Sequence, residues 1–299
     1  MQAPDDFDPP IGVLEPLEPG LGRIVAPNPS PMTYRGTNTY ILGDGPFAVI
    51  DPGPMDKAHL AAITAIGKIS HIIVTHAHLD HSPLARPLAQ AADAPVYGFG
   101  PATAGRSTVM QGLAAAGLVG GGEGIDTAFA PDHLLPDGAV LSGTGWQISA
   151  LHTPGHIGNH ISLVWGDACF SGDHVMGWAS SLVSPPDGDL TDFMASCRRM
   201  AAQEWRVFYP GHGAPVTKPN ARLEWLIGHR TAREASILSA LTKGPATASA
   251  LAQEIYADTP AALLPAAERN VLAHLIDLTG RNLIAPQGTL SANARFQRL

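Results

Sequence analysis

The sequence contains few cysteines and few aromatic residues. Only Cys169 and Cys197 are present among 299 residues, and they form no CxxC pair. No disulfide framework is therefore predicted, and both cysteines are interpreted as small buried residues. Aromatic residues make up 6% of the chain. Because Ala-rich stretches recur, we expect parts of the core to be built from thin helical layers.

An excess of basic residues is also missing. The chain carries 26 acidic and 18 basic residues, which gives a formal net charge of −8. Binding to a phosphate backbone normally requires several Lys or Arg on one face, and no such stripe is found. The composition therefore argues against nucleic acid as a partner and favours a small-molecule substrate.

Long apolar runs are absent as well. No stretch of 18 or more apolar residues occurs, so no membrane span and no membrane partner are predicted. The first residues, MQAPDDFDPPIG, lack the basic start and apolar run of a signal peptide. We therefore expect a cytoplasmic protein.

The pattern of the elements divides the chain in two. Residues 1–20 resemble an irregular arm, and from residue 22 short β-like segments alternate with helical ones as far as VFYPGH. After residue 218 three helices are predicted, at 222–241, 248–256 and 266–278, with Thr247 as an N-cap. A hairpin follows. Residues 1–218 are thus predicted to form a catalytic domain, and residues 219–299 a winged-helix-like domain.

The strongest chemical signal is the segment THAHLDHS, residues 75–82. His76, His78, Asp80 and His81 lie within six positions, although histidine accounts for only 13 residues of the chain. The segment directly follows the apolar run HIIVT, which is typical of a buried strand. Residues of an extended strand alternate faces, so His76 and His78 point the same way. Imidazole and carboxylate are the usual ligands of catalytic zinc, and the motif predicts a metal site.

Three further segments have the same form, an apolar run that ends in a Gly turn and presents a ligand. They are SALHTPGH, ACFSGD and VFYPGH, which present His156, Asp173 and His212. Gly permits a tight turn at each of these strand ends, and in SALHTPGH and VFYPGH a Pro precedes it. A lone His after a strand is usually structural. Because these three segments occur together with THAHLDHS, we interpret their ligand residues as parts of a metal centre.

The order THAHLDH, TPGH, SGD and PGH, over roughly residues 22–215, resembles the metallo-β-lactamase superfamily. The segments RGTNTYILG, GDHVMGW, SPPDGDL and GHR followed by ARE are similar to its β-lactamase-like protein 2 group. This resemblance implies a four-layer αββα sandwich in the α/β class, followed by a small helical winged-helix domain. It also implies two zinc ions, with manganese or iron as alternatives. By analogy one metal is bound by His76, His78 and His156, the other by Asp80, His81 and His212, and Asp173 bridges them. Asp51 in VIDPG matches a position that supports the metal site.

The same resemblance implies a hydrolase in which hydroxide held between two metals attacks an electrophilic centre. Asp80 is the predicted catalytic residue, because it lies beside the nucleophile and can accept its proton. Asp173 occupies a position that holds Cys in the commonest zinc β-lactamases. A small ester, thioester or lactone is therefore preferred as substrate, with a weak or promiscuous β-lactamase activity as an alternative.

Two further alternatives concern the C-terminal domain. The branch resemblance and the winged helix suggest a single-strand endoribonuclease, for which a basic groove across both domains is the expected sign. The Ala- and Leu-rich helices also suit protein binding or homodimerisation. A closed apolar pocket under residues 104–135, which include the glycine-rich GGGEG stretch, is the expected sign of a small acyl substrate.

Several other residues are open to a functional or a structural interpretation. His174 is a candidate for substrate contact, although a structural role is equally expected, and Tyr34 and Trp178 are candidates to line the pocket. His160 is predicted to be structural, and His152 is assigned to the support of the site or to the core. No function is predicted for His59, His71, His133, His229 or His274.

Overall fold

The computed structural model describes residues 6–121 and 124–299, so parts of the predicted N-terminal arm and of the GGGEG loop lie outside the described residues. Fifteen strands are found within these ranges: β1 Glu15–Glu18, β2 Leu21–Val25, β3 Asn38–Leu42, β4 Phe47–Ile50, β5 Ile69–Ile73, β6 Val96–Gly98, β7 His133–Leu134, β8 Val140–Gly143, β9 Trp146–His152, β10 Ile161–Trp165, β11 Ala168–Gly172, β12 Val207–Pro210, β13 Ala246–Thr247, β14 Ile284–Pro286 and β15 Arg295–Arg298. The described chain also forms seven α-helices: α1 Lys57–Thr64, α2 Ala85–Ala92, α3 Thr108–Ala115, α4 Leu190–Ala201, α5 Pro219–Ala240, α6 Ala248–Ile255 and α7 Leu264–Gly280. Short 3₁₀ segments at Leu241–Lys243 and Ala261–Leu263 precede α6 and α7.

Two β-sheets form the centre of the molecule. The first contains β1 to β7 in sequence order, and the second has the order β12-β11-β10-β9-β8. Apolar side chains from both sheets share one buried cluster, which includes Leu42 and Ile73 of the first sheet and Leu163 and Phe170 of the second. The two sheets therefore pack face to face as a sandwich.

Helices cover the outer face of each sheet. Ile63 of α1 and Leu88 of α2 are fully buried against the first sheet. Phe193 of α4 and Leu223 of α5 are fully buried in the cluster on the second sheet, with Phe208 of β12. The predicted four-layer αββα architecture is confirmed.

The sequence-based prediction of an irregular arm is wrong for part of the N-terminal segment. β1 pairs antiparallel with β2, with Glu15 opposite Arg23. The carboxylate of Glu15 accepts a hydrogen bond of 2.6 Å from the buried Arg23 guanidinium. The strand is short and acidic, and its pairing partner, not its own hydrophobic pattern, determines its conformation.

The C-terminal region has the predicted winged-helix arrangement of helices and strands. α6 and α7 are followed by β14 and β15, which pair with β13 in a three-stranded sheet. Thr247 caps α6 as predicted, because its side chain accepts a hydrogen bond from the Ala250 amide. The core of this region also includes Met110 and Leu113 of α3, so the helix from the predicted 104–135 segment packs here.

The boundary at residue 218 remains a prediction. α5 begins at Pro219, but its first turns contribute Leu223 and Leu226 to the cluster around α4. Ile237 and Ala240, near its end, belong to the C-terminal core. One helix thus serves both cores, and it holds the C-terminal region against the sandwich.

No helix among the described residues combines the length and the apolar character that a membrane crossing requires. Cys169 and Cys197 are buried and unbonded, in agreement with the sequence-based interpretation. Burial raises the pKa of the Cys197 thiol to about 12. Both side chains therefore serve as small apolar residues of the core.

His274 of α7 is buried in the C-terminal region, and neither ring nitrogen has a hydrogen-bond partner among the described residues. Burial, with a contribution from Arg230, lowers its pKa to about 3, compared with 6.5 for an exposed histidine. Below pH 6.5 the unfolded chain therefore gains a proton that the folded chain cannot take up. The contribution of this residue to stability is lost as the pH falls from 6.5 towards 3.

We expect H274L to raise the free energy of unfolding at pH 7.5 by about 1–3 kcal/mol, because an unsatisfied polar group is removed. The gain should increase by about 2 kcal/mol at pH 5, where the unfolded wild-type chain is protonated. Urea unfolding at the two pH values measures both effects. H133L, at an exposed histidine, is the matched control. An H274L variant that is less stable than wild type at pH 7.5 would contradict this account.

Candidate metal centre

All seven predicted ligands lie together at one edge of the sandwich. β4 and β5 run parallel in one sheet, and β11 and β12 run parallel in the other, so their carboxyl ends meet at this edge. The turns that follow these strands, together with the β9–β10 turn, supply His76, His78, Asp80, His81, His156, Asp173 and His212. The fold therefore brings residues from strand ends that are distant in sequence into one buried cluster.

The first group consists of three histidines. The Nδ1 atom of His78 lies 3.0 Å from the Nε2 atom of His76 and 3.0 Å from the Nε2 atom of His156. Burial lowers the pKa of His78 to about 3, with a further contribution from His156. The three rings are thus neutral at physiological pH, and their nitrogen lone pairs converge.

The second group contains two carboxylates and two histidines. Asp80 Oδ2 lies 3.0 Å from His212 Nε2 and 3.4 Å from His81 Nε2. The Nε2 atoms of His81 and His212 are 3.2 Å apart. Burial opposes protonation of His212, but the Asp173 and Asp80 carboxylates outweigh it and raise its pKa to about 10. The same negative field favours a divalent cation.

Asp173 belongs to the second group and also approaches the first. Its Oδ2 atom lies 3.3 Å from His212 Nε2 and 3.7 Å from His156 Nε2. Its backbone amide donates to His160 Nε2 at 3.2 Å. A Cβ at Gly211 would overlap Asp173 Oδ1, so the glycine of the PGH turn permits this close approach.

Hydrogen bonds of the Nδ1 atoms determine which ring nitrogen of four histidines faces the cluster. His156 Nδ1 donates to the Leu182 carbonyl at 2.7 Å, and His81 Nδ1 donates to Asp51 Oδ2 at 2.9 Å. Thr75 Oγ1 donates to Asp51 and therefore accepts from His76 Nδ1. His212 Nδ1 faces the Gly36 carbonyl at 3.2 Å. In each of these four histidines Nε2 is directed at the cluster, and the hydrogen bond of the other nitrogen orients the ring.

The residues fit a pair of divalent cations. Several ring nitrogens face one another at about 3 Å, an arrangement in which they can act as ligands of a common cation. Asp80 Oδ1 and Asp173 Oδ1 are buried without a hydrogen-bond partner among the described residues. Asp51 also lies near His76 and His81. However, its two oxygens are engaged by Thr75 and His81, so it orients the ligands.

A pocket of about 450 Å³ opens onto the cluster. His78, Asp80, His156 and Asp173 line one part of it. The remaining wall is formed by residues 176–184, by one face of α5 and by α7, and it includes apolar side chains such as Met176, Trp178 and Leu182. Gly121 is the described residue of the 104–135 segment that lines the pocket, so the described part of that segment contributes little to its wall.

Comparisons with known proteins agree with this geometry. Residues 32–212 match the model of the metallo-beta-lactamase superfamily. The chain belongs to this superfamily. Residues 247–291 also match the beta-lactamase associated winged helix domain. The protein is thus a hydrolase of this superfamily that carries an additional winged-helix domain, and its His and Asp clusters are candidate ligands for divalent metal ions.

Relatives match over most of the chain. A beta-lactamase-like protein 2 homolog of Drosophila melanogaster is 31% identical over 284 residues, which is 90% of each chain. An atrochrysone carboxyl ACP thioesterase of Aspergillus fumigatus is 28% identical and covers 85% of this chain and 78% of its own. The crystal structure of a beta-lactamase domain protein from Burkholderia ambifaria superposes with a TM-score of 0.80 at 20% identity, over 98% of this chain and 96% of that one.

Other sequence-based interpretations of this superfamily member have mixed outcomes. Trp178 lines the pocket, and Tyr34 stacks on it at a centroid distance of 5.0 Å. His174 is fully buried, with Nε2 3.4 Å from Cys197 Sγ, so its role is structural. His160 supports the Asp173 amide, in agreement with a structural assignment. His229 was assigned no function, but it lines the pocket with Arg222 and Arg233.

Ser181 supports the turn that carries Asp173. Its hydroxyl lies within hydrogen-bond distance of the carbonyl oxygens of both Asp173 and His174. The Ser181 carbonyl accepts from the buried Arg230 guanidinium, which also donates to Asn270 Oδ1 at 2.8 Å. α5 and α7 are thus connected through Ser181 to a candidate metal ligand.

We expect S181A to lower the free energy of unfolding by about 1–3 kcal/mol, because it leaves buried carbonyls without their donor. The affinity for metal should also fall, since the Asp173 turn loses its support. Urea unfolding and competition with a chelator measure the two effects. S239A, at an exposed serine of α5, is the control. Unchanged stability and metal affinity in S181A would show that this contact is dispensable.

Proposed function

We propose that the protein is a dinuclear, zinc-dependent hydrolase of small esters, thioesters or lactones. One observation carries the proposal: two groups of metal-ligand side chains approach each other at Asp173, and members of both line the same pocket. His76, His78 and His156 would hold one metal. Asp80, His81 and His212 would hold the other. Bound metal ions supply a water of lowered pKa and polarise the substrate carbonyl.

The protein side chains would orient the reactants and move one proton. Asp80 directs Oδ2 at His212 and His81, and its Oδ1 atom is buried without a partner among the described residues. Oδ1 is therefore the atom that would accept the proton of the attacking water. Asp51 and the Leu182 carbonyl fix the rings of His81 and His156, so that the groups around the substrate are pre-arranged.

The pocket supports a small acyl substrate. A volume of about 450 Å³ is within the usual range for small-molecule sites, and aliphatic and aromatic side chains form much of its wall. One relative is named for thioesterase activity. By contrast, the formal charge of −8 does not favour a phosphate backbone as the substrate.

The test combines metal analysis with a substrate panel. The purified protein is loaded with zinc, manganese or iron, and metal content is measured by elemental analysis. Turnover is then measured with a thioester, a lactone, nitrocefin and a fluorescent single-stranded RNA. About two metals per chain and acyl turnover are the expected results. Cleavage of RNA alone, or absence of metal under every loading condition, would overturn the proposal.

A further inference from the structure

One face of α5 forms a wall of the pocket. Arg222, Trp225, His229 and Arg233 all line it, at spacings of three, four and four residues. Side chains at these spacings lie on the same face of a helix. At a rise of 1.5 Å per residue, this face extends for about 16 Å. The wall belongs to the segment after residue 218, so the C-terminal region contributes directly to the pocket.

The two arginines of this face differ in their contacts. Arg222 is buried and donates to the carbonyl oxygens of Met176 and Ala179, so it holds the loop that forms the opposite wall. Arg233 is half-buried, and its guanidinium lies 4.5 Å from the centre of the Tyr256 ring. Among the described residues it has no hydrogen-bond or ion-pair partner, because the neighbouring Glu234 pairs with Arg281. Arg233 is therefore available to a ligand.

The positive charge on this wall is not balanced by carboxylates. The pocket contains three acidic side chains, as far as the structure describes it: Asp80, Asp173 and Asp187. The first two belong to the metal-ligand groups, and Asp187 forms an ion pair with Arg106. The pKa of His229 is affected by the same positive charges. Burial, followed by Arg230 and Arg233, lowers its pKa to about 4, so at neutral pH it is a neutral hydrogen-bonding group.

We propose that the α5 wall binds an anionic group of the substrate, with Arg233 as the residue that contacts it and His229 beside it. The substrate would carry the hydrolysable acyl bond at the metal groups and a carboxylate or phosphate at the α5 wall, with an apolar linker between them. This proposal rests on the proposed function and specifies its substrate class. The anion belongs either to the acyl part or to the alcohol or thiol part of the substrate.

Two series of substrates distinguish these sources. In the first, N-acetylcysteamine thioesters of dicarboxylic acids with four to ten carbons are compared with the matching ω-carboxamides. In the second, hexanoyl thioesters of coenzyme A and of N-acetylcysteamine are compared. In at least one series the anionic member should have a KM about tenfold below that of its neutral partner, a difference typical of one charged hydrogen bond. A preference in the first series assigns the anion to the acyl part, and a preference in the second assigns it to the thiol part.

Variants of Arg233 test whether this residue causes the preference for the anionic substrate. R233M and R233Q should abolish the tenfold difference in KM between the anionic and the neutral substrates. R233K should retain part of it, because Lys keeps the charge but not the planar donor arrangement. R298M, at an exposed arginine of the same region, is the control and should behave as wild type.

A binding measurement separates this inference from the proposed function. Thioether analogues, which cannot be hydrolysed, are titrated calorimetrically in ω-carboxylate and ω-carboxamide forms. Tighter binding of the carboxylate that is lost in R233M supports the subsite, even if no acyl substrate is turned over and the proposed reaction fails. Equal KM values in both substrate series, together with equal binding of the two analogues, would overturn the inference while leaving a hydrolase in place.

Discussion

The D80N variant is expected to lose turnover while keeping its metal. Asp80 Oδ1 is buried and has no partner among the described residues, whereas Oδ2 faces His212 Nε2 at 3.0 Å. An asparagine oxygen can still face His212, but the amide cannot accept a proton. If Asp80 is the general base, kcat should fall by about 10²–10⁴-fold. Metal content should remain close to that of the wild type.

The measurement pairs steady-state kinetics on the acyl substrate with elemental analysis of the same sample. D167N serves as the matched control, because Asp167 is an exposed residue that pairs with Arg206 on the surface. Loss of metal in D80N, with turnover per bound metal unchanged, would show that Asp80 is a ligand without a proton-transfer role.

The clustering of the candidate ligands could be predicted because its signal is local. Each candidate ligand follows an apolar strand and a tight turn within a few residues. Examples are ACFSGD, which ends at Asp173, and VFYPGH, which ends at His212. Parallel strands then bring their carboxyl ends to one edge, whatever the intervening sequence. The four-layer sandwich was predictable for a related reason, since the order of the ligand motifs resembles one superfamily over about two thirds of the chain.

The pocket wall could not be predicted in this way. Arg230 reaches the Ser181 carbonyl across 49 residues, and the Val183 amide reaches Asn270 across 87 residues. No local pattern shows which face of α5 points at the metal groups, because its apolar residues serve two separate cores. His229 and Arg233 occur on an ordinary polar helix, and packing against the loop at residues 176–184 places them in the pocket. The GHR and ARE segments belong to the resemblance found in the sequence, but their role depends on these long-range contacts.

The packing of residues 104–135 also depends on long-range contacts. Residues 104–135 are Gly- and Ala-rich and hard to assign from sequence, and α3 within that segment packs into the C-terminal core. Met110 and Leu113 are buried there, against helices more than a hundred residues away. Composition does not indicate which of the separate cores receives this helix.

The D173N variant is expected to lose both metal and turnover, unlike D80N. Asp173 Oδ2 is 3.3 Å from His212 Nε2 and 3.7 Å from His156 Nε2, so this carboxylate oxygen lies close to both groups. The substitution removes its negative charge, while the amide contact with His160 involves the backbone and is retained. Metal content should fall from about two to about one per chain or lower, because the ligand shared between the two sites is weakened. Loss of several kcal/mol of charge stabilisation corresponds to a decrease in kcat/KM on the order of 10³-fold.

Elemental analysis, kinetics and urea unfolding of the same preparation test this expectation, and D173E provides the matched comparison. Glutamate keeps the charge, but Gly211 packs so closely on Asp173 that the longer side chain must displace the PGH turn. Higher metal content in D173E than in D173N would assign the defect to charge, whereas equal losses would assign it to geometry. Two metals per chain and near wild-type turnover in D173N would show that Asp173 does not connect the two metal groups, and the dinuclear proposal would then fail.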